Sequence, residues 1–192
     1  KVRVLTGTAM LGAVAAVLMY LEFPIPIMPA FVKLDVSELP ALIASFAYGP
    51  VSGILVCLIK NLIKLPSTST AAVGELFNFV MGALFVGVAG LIYKRNKTRK
   101  GAIVGALLGA LVMAVVSVPY NYFIVYPAYV VMYHLPLDAI IGMYQAINPN
   151  VNGLLACLLV FNLPFTFVKG ALDAALCFLV YKPLSPILHG RK

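Results

Sequence analysis

The chain is 192 residues long, 62% hydrophobic and 10% charged, with a mean hydropathy of +1.03 and a formal charge of +8. Soluble domains carry about 25% charged residues, so this sequence lacks the polar surface that a water-facing fold requires. Soluble enzymes are excluded, and an all-α integral membrane protein is expected. Basic residues number 14 against 6 acidic ones, and ten of the 14 fall at positions 1–3, 94–100, 182 and 191–192. Cations gathered at the termini and in one hydrophilic break mark loops retained on the cytoplasmic side. A nucleic-acid partner would need a soluble basic face instead, so none is expected.

About 20 apolar residues cross a bilayer as a helix. The first such run, about 4–21, has no small-residue cleavage site and reads as a spanning helix. Phe23-Pro24-Ile25-Pro26-Ile27-Met28-Pro29 comes next and cannot be regular helix. A second helix, about 38–48, can be capped by Asp35 or Ser37 and stops at Gly49-Pro50. A third runs over about 51–65, to the break at Pro66-Ser67-Thr68-Ser69-Thr70, and a fourth over about 74–93. After the basic stretch 94–100, a fifth is expected over 102–118. It should end or kink at Pro119, with an irregular outer continuation to Pro149. The sixth covers about 151–181.

Six crossings with both termini cytoplasmic put the basic break and the basic tail inside. Glu22, Asp35, Glu38, Glu75 and Asp138, five of the six acids, then lie toward the outer side. The sequence shows no internal repeat, so paired inverted halves are not indicated. Cys57, Cys157 and Cys177 sit in apolar runs without metal-ligand spacing and read as buried free thiols. Small residues recur at helical spacing, as Ala9 and Ala13, Gly12 and Ala16, and Gly101, Gly105 and Gly109. Such stripes let helices approach closely, within this chain or against a separate membrane partner.

Ionisable groups inside a span are costly, about 2.5–3.5 kcal/mol each on insertion scales. Lys169 and Asp173 are four residues apart and can neutralise each other across one turn. Asn162, Thr166, Lys169 and Asp173 form a polar stripe on an otherwise apolar helix. Glu75, Asn78 and Phe79 on the fourth helix and Pro119-Tyr120-Asn121-Tyr122-Phe123 on the fifth complete a cluster of amides, one amine and rings. Amides suit the donor and acceptor edge of a heterocycle, and rings offer stacking area. Lys60, Asn61 and Lys64 sit near an outer helix end, where the two lysines are expected to snorkel to the interface, and His134 reads as an outer-loop residue. No G-x-x-x-x-G-K-[ST] occurs, and neither a metal cluster nor a Ser/His/Asp arrangement is apparent. An enzyme is not expected, and powered uptake would need energy from another chain.

The stretch 23–65 closely resembles the riboflavin-specific substrate-binding subunit, or S component, of energy-coupling factor (ECF) transporters. The resemblance is carried by F-P-I-P-I-M-P-A-F-V-K-L-D at 23–35, S-E-L-P-A-L-I at 37–43, G-P-V-S-G at 49–53 and I-K-N-L at 59–62. N-Y-F at 121–123 and P-F-T-F-V-K-G at 164–170 add to it. It implies a membrane subunit that binds riboflavin as transported ligand, with no cofactor, beside a transmembrane coupling subunit and two cytoplasmic ATPases. It also implies that the loop at about 23–36 covers an outward-facing pocket. Asn121 and Lys169 match positions that hydrogen-bond the flavin, and Thr166 stands where an asparagine is expected. Ala9 and Ala13 match the alanine motif that docks on the coupling subunit. With the resemblance in hand, Met28 is expected to close the loop, and Phe31, Phe79 and Tyr122 to give apolar surface. Glu75 and Asn78 would take the ribityl hydroxyls. The rival readings are an S component for another vitamin, an intramembrane enzyme using Lys169 and Asp173, and a secondary transporter coupled to protons through Asp173.

Overall fold

A computed structural model describes residues 2–68 and 70–189, with side chains through residue 181. Lys1, Arg191 and Lys192, part of the case for cytoplasmic termini, lie outside the described residues. So do Ser69 and the side chain of Lys182.

Helix α1 (Val2–Tyr20) leads into a two-stranded antiparallel hairpin, β1 (Phe23–Pro24) with β2 (Lys33–Leu34). Five prolines in residues 23–50 deny this region a continuous helix, and the hairpin uses the few amides left. Helix α2 (Glu38–Tyr48) is next. Asp35 caps its approach by accepting the Ser37 amide at 2.8 Å, whereas the Ser37 hydroxyl makes no cap. Gly49, at φ +106°, ends α2, a conformation that a Cβ would strain. Pro50 then opens α3 (Pro50–Lys64) from its favoured first-turn position. A single 3₁₀ turn (Leu65–Ser67) and a turn at Ala71–Ala72 precede α4 (Val73–Arg95). Thr98 caps α5 (Arg99–Tyr120), its hydroxyl accepting the Gly101 amide at 3.0 Å.

Of the two outcomes expected at Pro119, an end or a kink, the helix does not end there. Pro119 sits inside α5, and a π-helical turn over Asn121–Val125 absorbs the lost hydrogen bond, so the helix continues as α6 (Tyr126–Tyr133). The region expected to be irregular as far as Pro149 also contains α7 (Leu137–Gln145). The last segment begins as α8 (Leu154–Cys157), widens through a second π turn (Leu158–Asn162) ahead of Pro164, and runs on as α9 (Leu163–His189).

Five segments are long and apolar enough to cross a membrane: Val2–Tyr20, Pro50–Ser67, Val73–Arg95, Arg99–Tyr133 and Leu154–Tyr181. They match five of the six expected spans. The remaining one, the second expected span, is α2 with 11 residues, about 17 Å at 1.5 Å per residue, against a hydrocarbon core of about 30 Å. Instead of crossing alone it is enclosed, and Ala41, Leu42 and Ala44 have no exposed surface. It packs on α1, α3, α4 and α9.

The main core joins α2 to residues such as Val56, Phe85, Val86 and Ala110, and a smaller one gathers Tyr126, Ile140, Tyr144 and Leu158. The three cysteines are buried and free, as expected. The glycine stripe of α5 serves packing within the chain. A Cβ at Gly105 would stand 2.8 Å from the Ala89 carbonyl oxygen, and one at Gly109 would stand 2.5 Å from that of Phe85. Gly109→Leu should therefore destabilise the protein by about 1–3 kcal/mol through overpacking, read as a lower thermal midpoint in detergent. Gly142→Ala, inside α7 where a Cβ meets nothing within 4 Å, should leave that midpoint unchanged or raise it slightly.

Candidate functional site

A cavity of about 190 Å³ lies between the hairpin and the facing ends of α4, α5, α6 and α9. Its polar lining includes Glu75 and Asn78 from α4, Asn121 from the first π turn, Asn162 from the second, and Thr166 and Lys169 from α9. Phe31, Tyr126 and Tyr129 add aromatic surface. The spacing of Asn162, Thr166 and Lys169 predicted this shared face, and each π turn aims one asparagine at the cavity.

Of the nine expected site residues, Phe31, Glu75, Asn78, Asn121, Thr166 and Lys169 line the cavity. Met28, Phe79 and Tyr122 do not. Met28 is buried in the hairpin loop, and Phe79 packs against the main core. Tyr122 is one helical position beyond Asn121, so it turns away from the cavity, stays 39% exposed and meets Phe123 edge-on. Asn121 donates back to the Ser117 carbonyl at 2.8 Å, and among the described residues no donor reaches its Oδ1. Glu75 Oε2 accepts the hydroxyls of Thr68 and Thr70 at 2.8 and 2.9 Å, which fixes the carboxylate at the cavity edge.

Beneath the hairpin lies a buried ion network that overturns two expectations. Among the described residues no ion pair joins Lys169 to Asp173. Helical side chains lean toward the N-terminus, so Lys169 leans away from Asp173, and its Nζ stands 3.0 Å from Asp35 Oδ2 and 2.9 Å from Glu38 Oε2. Asp173 is 1% exposed, and neither carboxylate oxygen has a hydrogen-bond partner among the described residues. Lys60 does not snorkel either. It is fully buried, donating to Glu38 Oε1 at 2.6 Å and to the Ser37 hydroxyl at 2.5 Å. Asn61 is buried, and its Nδ2 donates to the Cys57 carbonyl at 2.8 Å. Lys64 is 9% exposed and turns inward too, 3.2 Å from Glu22 and 4.4 Å from the centre of the Tyr20 ring. The acids that answer these lysines lie on other elements, so paired charge replaces escape to the interface.

A second network closes the other side of the cavity. Tyr144 of α7 donates to Asn162 Oδ1 at 2.7 Å and shares a hydrogen bond of 2.5 Å with Tyr126. Phe31, at the hairpin tip, meets both tyrosine rings edge-on at 6.2–6.3 Å. Burial pushes the Tyr144 phenol far above its usual range, so it stays a donor at physiological pH. Sequence reading missed the roles of Tyr126, Tyr144, Asp35 and Glu38. The one available clue was an unanswered charge, since Lys60, Lys64 and Lys169, all inside spans, require acids from somewhere.

Each network can be probed through one of its members. Tyr144→Phe leaves the Asn162 oxygen buried without its donor, and should cost about 1–3 kcal/mol in thermal or denaturant unfolding. The ion network should respond to acid. Burial alone would raise the Asp35 carboxyl, but Lys169, Lys60 and the Ser37 contacts outweigh it and hold the group well below the usual carboxylate range. As pH falls, the unfolded chain takes up this proton first. The stabilisation is therefore complete above the unfolded value of about 3.9 and is lost as pH drops below it. Detergent unfolding should show an acid limb below about pH 4 that is shallower in Asp35→Asn.

The chain matches the family model of the ECF transporter substrate-specific component over residues 3–181. It is 34% identical over 180 residues to the riboflavin transporter RibU of Staphylococcus aureus (strain TCH60), covering 94% of this chain and 89% of that protein. It is also 34% identical to the riboflavin transporter FmnP of Bacillus subtilis (strain 168), covering 100% and 97%. A solved structure, described as that of the S component of a bacterial ECF transporter, superimposes with a TM-score of 0.75 at 33% identity over 96% of both chains. Five apolar spans, a cavity at their facing ends and a family match along nearly the whole chain lead to one conclusion. This multi-pass membrane protein belongs to the family of ECF transporter substrate-specific components, which bind substrate for transport and are not enzymes.

Proposed function

We propose that this chain binds riboflavin in the cavity and is the substrate-specific subunit of an ATP-driven vitamin uptake complex. The observation that carries the reading is the convergence of Asn121, Asn162, Thr166 and Lys169 on one cavity beside Phe31 and Tyr129. A flavin has a flat apolar body with one edge of alternating donors and acceptors, and these groups offer the complement. Asn121, Thr166 and Lys169 would read that edge. Glu75 and Asn78 would take the ribityl hydroxyls, with one Glu75 oxygen already engaged by threonines and the other left to accept. Phe31 and the hairpin at 23–34 would form a lid over an outward-facing site. Riboflavin is cargo here, and no resident cofactor is proposed.

The whole chain would act as one membrane domain with six crossings and both termini cytoplasmic, α2 passing through the bundle with help from the chain around it. The basic stretch 94–100 supports this orientation. Energy would come from a transmembrane coupling subunit and two cytoplasmic ATPases. Ala9 and Ala13 are exposed on α1, which supports their use as the docking stripe for the coupling subunit.

The decisive experiment titrates riboflavin into detergent-purified, flavin-free protein and monitors its fluorescence, with thiamine and biotin as competitors. Saturable submicromolar quenching that the competitors leave unchanged is expected. Folded protein without quenching would overturn the ligand. Asn121→Ala should weaken binding by about 1–3 kcal/mol, roughly 5–150-fold. Tyr122→Ala should bind as the unaltered protein does, since that ring lies off the cavity.

A further inference from the structure

Asp35 lies at the crossing of three parts of the molecule. It comes directly after strand β2 of the hairpin, and its Oδ1 accepts the Ser37 amide at 2.8 Å where α2 begins. Its Oδ2 meets Lys169 Nζ at 3.0 Å, across 134 residues of sequence, on the helix that lines the far wall of the cavity. Asp35 is 6% exposed, so water does not compete strongly for the pair. Glu38 supplies the second anion, 2.9 Å from Lys169, and Lys60 holds the opposite Glu38 oxygen at 2.6 Å. An ammonium has three N–H donors. Two are directed at these carboxylates, which leaves one for the cavity that Lys169 lines.

We propose that Asp35 is a positioning residue for the ligand: it holds the Lys169 ammonium aimed into the cavity and, through the same ion pair, ties the hairpin to α9. This rests on the riboflavin reading above for the identity of the ligand. Asp35 also borders the cavity, but the role proposed for it runs through Lys169. It acts by removing the freedom of a long, flexible side chain, whose immobilisation would otherwise oppose binding. Because one ion pair does both jobs, filling the cavity and seating the hairpin are linked. A ligand carbonyl that takes the third donor of Lys169 meets an ammonium already fixed, and the hairpin is seated on the same anchor.

The test combines a double-substitution cycle with amide hydrogen exchange. Riboflavin affinity is measured by fluorescence for the unaltered protein, Asp35→Asn, Lys169→Met and the double variant, each shown to be monodisperse. Asp35→Asn should weaken binding on the order of tenfold, and should add nothing further once Lys169 is Met. Asp35→Glu, which keeps the charge, should recover part of the loss. Unchanged affinity in Asp35→Asn, or independent multiplying losses in the double variant, would overturn the positioning role. Exchange is read separately in ligand-free protein. Amides at 33–37 should exchange faster in Lys169→Met than in the unaltered chain, and equal rates would overturn the tie between hairpin and α9. That comparison needs no ligand and no folded Asp35 variant. Failure of the unaltered protein to bind riboflavin would sink the ligand assignment alone, with exchange still deciding the tie.

Discussion

The buried ion network of Asp35, Glu38, Lys60 and Lys169 is the constraint on which the rest of the structure turns. Charges this deep in an apolar bundle are tolerable only when each has an opposite partner within hydrogen-bond reach. That requirement fixes the start of α2 against α3 through Glu38 and Lys60, and against α9 through Lys169. It also brings the hairpin over the same point through Asp35. Removing one partner strands the others, so the network acts as a single unit. Asp173, one turn further along α9, stays outside it with both oxygens unpartnered among the described residues.

Around that anchor, the cavity is built by departures from regular helix. Both π turns fall near prolines, and each carries an asparagine facing the cavity, Asn121 from one and Asn162 from the other. A π turn inserts an extra residue into the helical ladder and rotates the next stretch of helix, which lets a long apolar helix expose polar groups inward. The tyrosine pair on the opposite side does the corresponding work for α7. Tyr144 reaches from a short helix outside the spans into a hydrogen bond with Asn162, so α7 is fastened to the wall of the cavity. Phe31 then rests against both tyrosine rings. The hairpin is thereby held at two points, by charge through Asp35 and by aromatic contact at its tip.

Close approach of α4 and α5 completes the frame. Gly105 and Gly109 let α5 lie against the backbone of α4, which carries Glu75 and Asn78 to the same cavity. In lipid, where apolar surface gains little by meeting apolar surface, such contact between backbones is a main source of helix association. The exposed apolar faces of α1 and α5 fit a surface that meets lipid or another membrane chain.

Composition alone determined that this is a membrane protein, because apolar runs and confined cations leave no soluble alternative. Helical periodicity determined that Asn162, Thr166 and Lys169 share a face, since that depends only on local geometry. Motif resemblance pointed to the family, because the Pro-rich stretch into Lys33-Leu34-Asp35 is distinctive as a string. Tertiary structure alone decided which acid answers which lysine. Asp173 was the near choice in sequence, yet Asp35, 134 residues away, is the partner, and no local pattern encodes such a distance. It also decided that Lys60 turns inward, that Pro119 is absorbed without a break, and that Tyr122 faces away while its neighbour Asn121 faces in. Each of these depends on what stands opposite in space. Local periodicity gives the direction of a side chain relative to its own helix, and only packing supplies the group it meets.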